Sequence, residues 1–130
     1  MGYAIPCAVG VKTAQPGRQV VAVCGDGSFQ MSMNELAAVK AGGFDLKILL
    51  FRNGVLGLVN QIQGKEPYHG PFGVKLDGDP DFAAIAGAYG IPTMTLRSED
   101  KVEETLDQFL AGKGPCLLIA EVSPEWKTTD

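Results

Sequence analysis

Alternating apolar runs and amphipathic stretches predict an α/β domain with a doubly wound, mostly parallel sheet and helices on both faces. Three observations carry that expectation. The runs at 20–24, 46–51 and 116–122 are short, continuous and rich in Val, Leu and Ile, as strands covered on both sides are. The stretches between them place apolar residues at helical rather than alternate spacing. Finally, the signals Gly25-Asp26-Gly27 and Arg52-Asn53-Gly54 fall where the first two of these strands end.

Taken in order, residues 3–14 read as a helix. Ile5, Ala8, Val9 and Lys12 stand at i, i+3, i+4 and i+7, and Pro6 suits its first turns. Pro16-Gly17 closes it, and 19–24 form the first strand. Ser32 with Glu35 matches a capping box, so the next helix is expected near Ser32, with Met33, Leu36 and Ala37 toward the sheet and Gly42-Gly43 at its end. The second strand is 46–51, and 55–63 reads as helical. Residues 64–78 are rich in Gly and Pro and aperiodic, which reads as a loop and, beside the site described below, as an active-site flap. Asp79-Pro80 caps the following helix, with Pro at its first position, Phe82, Ile85, Ala86 and Tyr89 as its stripe and Gly90 as its stop. A short strand at 93–96 follows. Ser98, Glu99 and Asp100 open a last helix with Val102, Leu106, Phe109 and Leu110 on one side. The final strand, 116–122, leads to a polar, frayed tail from about 124 to 130.

The 130 residues make one domain, 45% apolar and 20% charged. A net charge of −4 without Lys/Arg clusters argues against nucleic acid. No apolar run reaches the ~18–20 residues of a membrane span, and no secretory signal is visible. Cys7, Cys24 and Cys116 lie in apolar contexts without C-x-x-C spacing, so reduced buried thiols in a cytoplasmic protein are expected.

Two strands joined through a helix in a right-handed crossover are parallel, so Asp26 and Asn53 emerge at one sheet edge, where open α/β sheets bind ligands. One carboxylate and one amide oxygen suit a hard cation such as Mg²⁺ that keeps positions for water and phosphate oxygens. Gly25 and Gly27 let backbone N–H groups approach an anion closely. Each signal alone is weak: GDG is commonly a plain turn, and Asn-Gly is a hairpin signal. The hairpin fails on its flank, since 55–62 lacks period-two alternation. A nucleotide- or flavin-binding fold is the competing class, but the first strand-to-helix turn lacks G-x-G-x-x-G.

GDG followed after one β-α-β unit by Asn resembles the metal-binding motif of thiamine diphosphate enzymes. MGYAIPCAVGVKTAQPGRQVVAVCGDGSF, FRNGVLGLVNQ and DPDFAAIAGAYGI look like the C-terminal cofactor-binding (PP) domain of acetolactate synthase and its 2-oxo-acid relatives. The resemblance implies that Asp26, Asn53 and the Val55 carbonyl hold Mg²⁺. It implies that Gly25, Gly27 and Ser28 meet the diphosphate, that Met1 lies under the cofactor, and that Gly57 and Leu58 stand beside the thiazolium. Leu58 as plain core is the alternative. No catalytic residue is expected in this chain. The family's glutamate belongs to a PYR-type domain or subunit, for which these residues leave no room. The implied activity is decarboxylation of a pyruvate-like 2-oxo acid and carboligation, in an oligomer. A non-catalytic binding fragment or a decarboxylase subunit is the alternative. Arg52 replaces an asparagine frequent in the family and turns either toward the diphosphate or away to the surface. Ile62 stands where acetolactate synthases place a tryptophan, and His69 is a loop residue. Tyr3, Ile5 and Leu56 mark the face expected to meet the PYR-type domain.

Overall fold

The computed structural model describes residues 1–65, 67–78 and 80–126. The apolar run before Gly25 forms β1 (Val20–Gly25), which lies parallel to β2 (Leu46–Arg52), with Val20 opposite Leu46 and Gly25 opposite Phe51. On the other side of β2 lies β4 (Cys116–Glu121), and β3 (Thr93–Leu96) follows it at the far edge. The order is therefore β1-β2-β4-β3, all parallel, which agrees with the expected class.

Side chains alternate between the two faces of a strand. Ala22, Cys24, Ile48, Leu50, Leu117 and Ile119 share one face. There α1 (Ala4–Ala14), α3 (Leu36–Ala41) and α5 (Phe82–Ala88) bring Ile5, Ala8, Leu36, Val39, Phe82 and Ala86 against them. Phe29, on α2 (Asp26–Gln30), meets Phe82 edge to face with ring centres 5.5 Å apart. The opposite face carries Val21, Val23, Leu49, Phe51, Leu118 and Ala120. It receives α6 (Val102–Ala111), which packs along β3 and seats Phe109 fully.

Several expectations are corrected. β1 is not covered on both faces: its burial alternates, as in an edge strand paired on one side only. Only the central strands, β2 and β4, show nearly continuous burial. The capping box at Ser32 does not form. Ser32 is buried and its side chain makes no capping bond, because a helical turn already begins at Asp26 and a 3₁₀ turn (Met33–Glu35) precedes α3. Val39, rather than exposed Ala37, joins Leu36 in the core. Pro80 is not a first helical residue: Asp81 is the cap, accepting from Ala84 N–H at 3.0 Å, so α5 starts at Phe82. Asp79 lies outside the described residues, as do 127–130 of the tail. In the helical stretch after β2, α4 covers Gly57–Gln63, while Val55 instead bridges Lys75 in antiparallel fashion. The loop at 64–78 is thus anchored at its far end. Ile5, expected on a docking face, is wholly in the core, whereas Tyr3 is exposed.

Buried Lys47, on the α6 face, fixes the link from α6 to β4. Its Nζ donates to Asp45 Oδ1 at 2.7 Å, to the Gly112 carbonyl at 2.8 Å and to the Gly114 carbonyl. Lys47→Met removes the three donors but keeps the bulk, leaving two carbonyls without their partner. The expected loss is about 2–4 kcal/mol of unfolding free energy, read as a lower urea midpoint.

Candidate functional site

β1 ends at Gly25, and Asp26 follows as the first residue of α2, with 1% of its surface exposed. A carboxylate taken out of water must be hydrogen-bonded. Here Oδ1 accepts from its neighbour Gly27 N–H at 2.8 Å, and Oδ2 accepts from Asn53 N–H at 2.9 Å and Gly54 N–H at 2.7 Å. The end of β1 is thereby bonded to the end of β2. Gly54, at φ +69°, turns the chain in a conformation that favours glycine. Asn53 Oδ1 then accepts from Val55 N–H at 3.1 Å, a local turn of the kind Asn readily makes.

The bridge between Val55 and Lys75 is made by flanking bonds, Leu56 N–H to the Val74 carbonyl at 2.8 Å and Leu76 N–H to the Gly54 carbonyl at 2.9 Å. That pattern leaves the Val55 carbonyl outside the bridge. Donor counting follows. Oδ2 of Asp26 has both lone pairs engaged, whereas Oδ1 of Asp26 and Oδ1 of Asn53 each keep one.

These groups border a cavity of about 600 Å³, within the range of small-molecule sites. Met1, Gly25, Asp26, Gly27, Ser28, Asn53, Val55, Gly57 and Leu58 all line it, so every site residue expected from sequence reaches one place. Leu58 is 61% exposed there, which rules out plain core. Gly27 is the tightest point: a Cβ on it would lie 2.4 Å from Leu56 Cδ2 and 3.7 Å from Met1 Cε. A Cβ on Gly57 would come within 3.3 Å of Asn53 Nδ2. Ser28 Oγ accepts from Gly2 N–H at 2.9 Å, which ties the first residues to α2 and leaves the hydroxyl proton free to donate.

Arg52 does not line the cavity. Its Nη1 contacts Glu121 Oε1 at 3.0 Å, and its guanidinium stands 6.0 Å from the Phe82 ring centre, so it braces β2 against β4 and α5. His69 is exposed on the loop, and Ile62 is exposed outside the cavity lining. Trp126 was missed. It lines the cavity with Phe51, Val122 and Ser123. The available signal was the sole tryptophan in an otherwise polar tail.

Residues 1–120 match the family model described as "Thiamine pyrophosphate enzyme, C-terminal TPP binding domain". The chain belongs to that family. Among its relatives is an acetolactate synthase of Arthrospira platensis, 40% identical over 95% of this chain and 21% of its own length. The large subunit of acetolactate synthase isozyme 2 from Escherichia coli is 40% identical over 97% of this chain and 24% of its own. The mitochondrial acetolactate synthase catalytic subunit of Saccharomyces cerevisiae is 34% identical over 94% and 18%. This TPP-binding domain thus spans about a fifth to a quarter of the length of those relatives. No helix among the described residues is long and apolar enough to cross a membrane.

Cys24 lies in the wall of the TPP-binding domain's cavity. Burial, aided by the negative charge of Asp26, pushes its thiol from an ordinary 9.0 up to about 11. The folded state therefore favours the neutral thiol. The unfolded chain ionises first as pH rises, so this contribution is complete below about pH 9 and lost on the way to about pH 11. Cys24→Ala should flatten the decline in unfolding free energy over that interval by roughly 2 kcal/mol relative to the parent chain. Urea unfolding of both proteins at stepped alkaline pH measures it; parallel declines would refute the assignment.

Proposed function

We propose that this domain is the diphosphate- and magnesium-holding half of an acetolactate synthase-like enzyme acting on a pyruvate-like 2-oxo acid. The observation that carries the reading is the meeting of Asp26 and Asn53, braced by shared backbone bonds, at the mouth of one ligand-sized cavity. The donor set fits Mg²⁺: one carboxylate oxygen, one amide oxygen and the Val55 carbonyl are hard oxygens, with further positions left for phosphate and water. Gly25 and Gly27 present backbone to the diphosphate, and Ser28 offers its O–H. Met1, Gly57 and Leu58 supply the apolar bed of the organic rings. When bound, thiamine diphosphate supplies the carbanion chemistry that releases CO₂ from a 2-oxo acid and joins the remainder to a second carbonyl.

The chain's own residues position and desolvate. Asp26 neutralises cation charge while holding two strand ends in register. Gly57 leaves room for the Asn53 amide to keep its orientation. Phe51, Leu56 and Trp126 exclude water from the wall. Among the described residues that line the cavity, Asp26 is the only carboxylate, and it is fully engaged as a brace and ligand. A proton relay to the pyrimidine therefore belongs to a PYR-type partner domain or subunit, whose glutamate completes the site in an oligomeric assembly. The relatives, four to five times longer, have room for such a domain.

Calorimetric titration tests the reading. Thiamine diphosphate should give a binding signal that requires Mg²⁺, and NAD should give none with or without it. Asn53→Ala is expected to weaken the Mg²⁺-dependent binding at least tenfold, about 1.4 kcal/mol, with an unchanged circular dichroism spectrum. A metal-independent signal of equal strength would overturn it. Gly27→Ala drives Leu56 toward the cavity and should reduce cofactor affinity several-fold more than it reduces stability. The purified domain alone should not release CO₂ from pyruvate; turnover without a partner would disprove the half-site.

A further inference from the structure

The space above Gly27 is taken by two leucines. A Cβ on Gly27 would lie 2.4 Å from Leu56 Cδ2 and 3.5 Å from Leu76 Cδ1, so both side chains converge on one point over its backbone. Leu56 belongs to the wall of the cofactor cavity, but Leu76 does not line it. Leu76 comes from the far end of the 64–78 loop, where it is half-buried between exposed Lys75 and Asp77. Every described residue of that loop from Gly64 to Gly73 is exposed. The inward turn of Val74 and Leu76 is therefore a local event, tied to what they meet.

The backbones of the two leucines are held by one short pairing. Leu56 N–H donates to the Val74 carbonyl at 2.8 Å, and Leu76 N–H donates to the Gly54 carbonyl at 2.9 Å. Val74 is buried, yet it stands apart from the core that α1, α3 and α5 form on the sheet. Gly54 also gives its own N–H to Asp26 Oδ2 at 2.7 Å. Leu76 thus bears on the site from two directions. Its backbone anchors the turn that carries Val55, and its side chain presses toward Gly27, whose N–H bonds Asp26 Oδ1. Glycine has no side chain to restrict its own backbone, so packing by its neighbours decides how far Gly27 and Gly54 stray.

We propose that Leu76 is a positioning residue for the diphosphate and cation site, an inference that rests on the functional reading above. It touches neither group. It acts through Leu56, holding the Gly27 backbone at the place proposed for the diphosphate, and through Gly54, holding the turn that presents the Val55 carbonyl. Groups standing behind metal ligands fix the orientation of those ligands, and their loss commonly weakens metal binding by roughly 10–100-fold. Here the support is apolar packing with its backbone bonds retained, so the expected effect is smaller.

Leu76→Ala trims the side chain and leaves the backbone pairing able to form. In calorimetric titration, the variant should bind thiamine diphosphate in the presence of Mg²⁺ at least about fivefold more weakly than the parent chain. Leu76→Met keeps the volume and should stay within about twofold of the parent. Leu106→Ala removes another half-buried leucine, from α6 and outside the cofactor cavity. It should lower Tm comparably and keep the parent affinity, which a merely structural role for Leu76 would not predict. Amide exchange without ligand is the second readout: Gly27, Gly54 and Leu56 N–H should exchange at least about threefold faster in Leu76→Ala than in Leu106→Ala. Parent-like affinity in Leu76→Ala, an equal loss in Leu106→Ala, no recovery in Leu76→Met, or equal exchange at those three amides would overturn the proposal. A parent chain without Mg²⁺-dependent binding, but with exchange quickened as expected in Leu76→Ala, would strike the functional reading alone and leave Leu76 as the support of the Asp26 bridge.

Discussion

The Asp26 carboxylate holds the site together. Three backbone N–H groups converge on it, from its own neighbour Gly27 and from Asn53 and Gly54 across the sheet. An ionised group this deeply buried is tolerated only because those charge-assisted bonds replace its water. In return it fixes where β1 and β2 end relative to each other. The downstream turn inherits that placement: Gly54 takes its positive φ, Asn53 folds its amide oxygen over Val55 N–H, and α4 starts beside them. Oδ1 of the same carboxylate, with one donor among the described residues, keeps a lone pair, and Asp26 itself lines the cavity. In the proposed reading, brace and cation ligand are a single group, so a change at Asp26 would act on fold and cofactor hold together.

Strand position within the sheet decides how each apolar run is spent. β2 and β4 are central, so their runs are covered on both sides and Lys47 must bring its own bonding partners inside. β1 and β3 are lateral and alternate or half-expose their side chains. The cavity opens at the ends of β1 and β2, next to the least covered part of the sheet. Its wall is apolar, with Asp26 as the carboxylate among the described residues that line it, which agrees with the proposed role of positioning a charged cofactor.

The strands and the two polar strand-tip residues were legible because buried strands write continuous apolar runs and tight turns at strand ends favour glycine. Asp26 and Asn53 stand where that logic placed them. Less legible were features decided by tertiary context. Ser32 and Glu35 match a capping box on paper, but the earlier turn at Asp26 buries Ser32 and moves the helix start to Leu36. Burial on both faces of β1 could not be judged from composition, since an edge strand and a central strand of Val and Ala read alike. Trp126 hid in a polar tail, where local pattern carries no information about which wall an aromatic ring reaches. Leu58 was undecided between core and cavity, and exposure settled it.

The loop after α4 shows how a long irregular segment is kept in step with the site. Phe72 N–H donates to the Gln63 side chain at 2.7 Å, and the Val74–Leu76 stretch is bonded back to Gly54 and Leu56. Both ends of the excursion are therefore fixed, and its exposed tip, with Tyr68, His69 and Phe72, is free of the core. The anchor lies one residue from Asn53 and includes the partner of Val55. Displacing the Val74–Leu76 stretch would loosen Gly54 and Leu56, and with them the Val55 carbonyl and one N–H on the Asp26 carboxylate, leaving the bonds from Gly27 and Asn53. A segment that sequence reads only as a flap is, at its root, the third support of the proposed cation site, after the two strand tips.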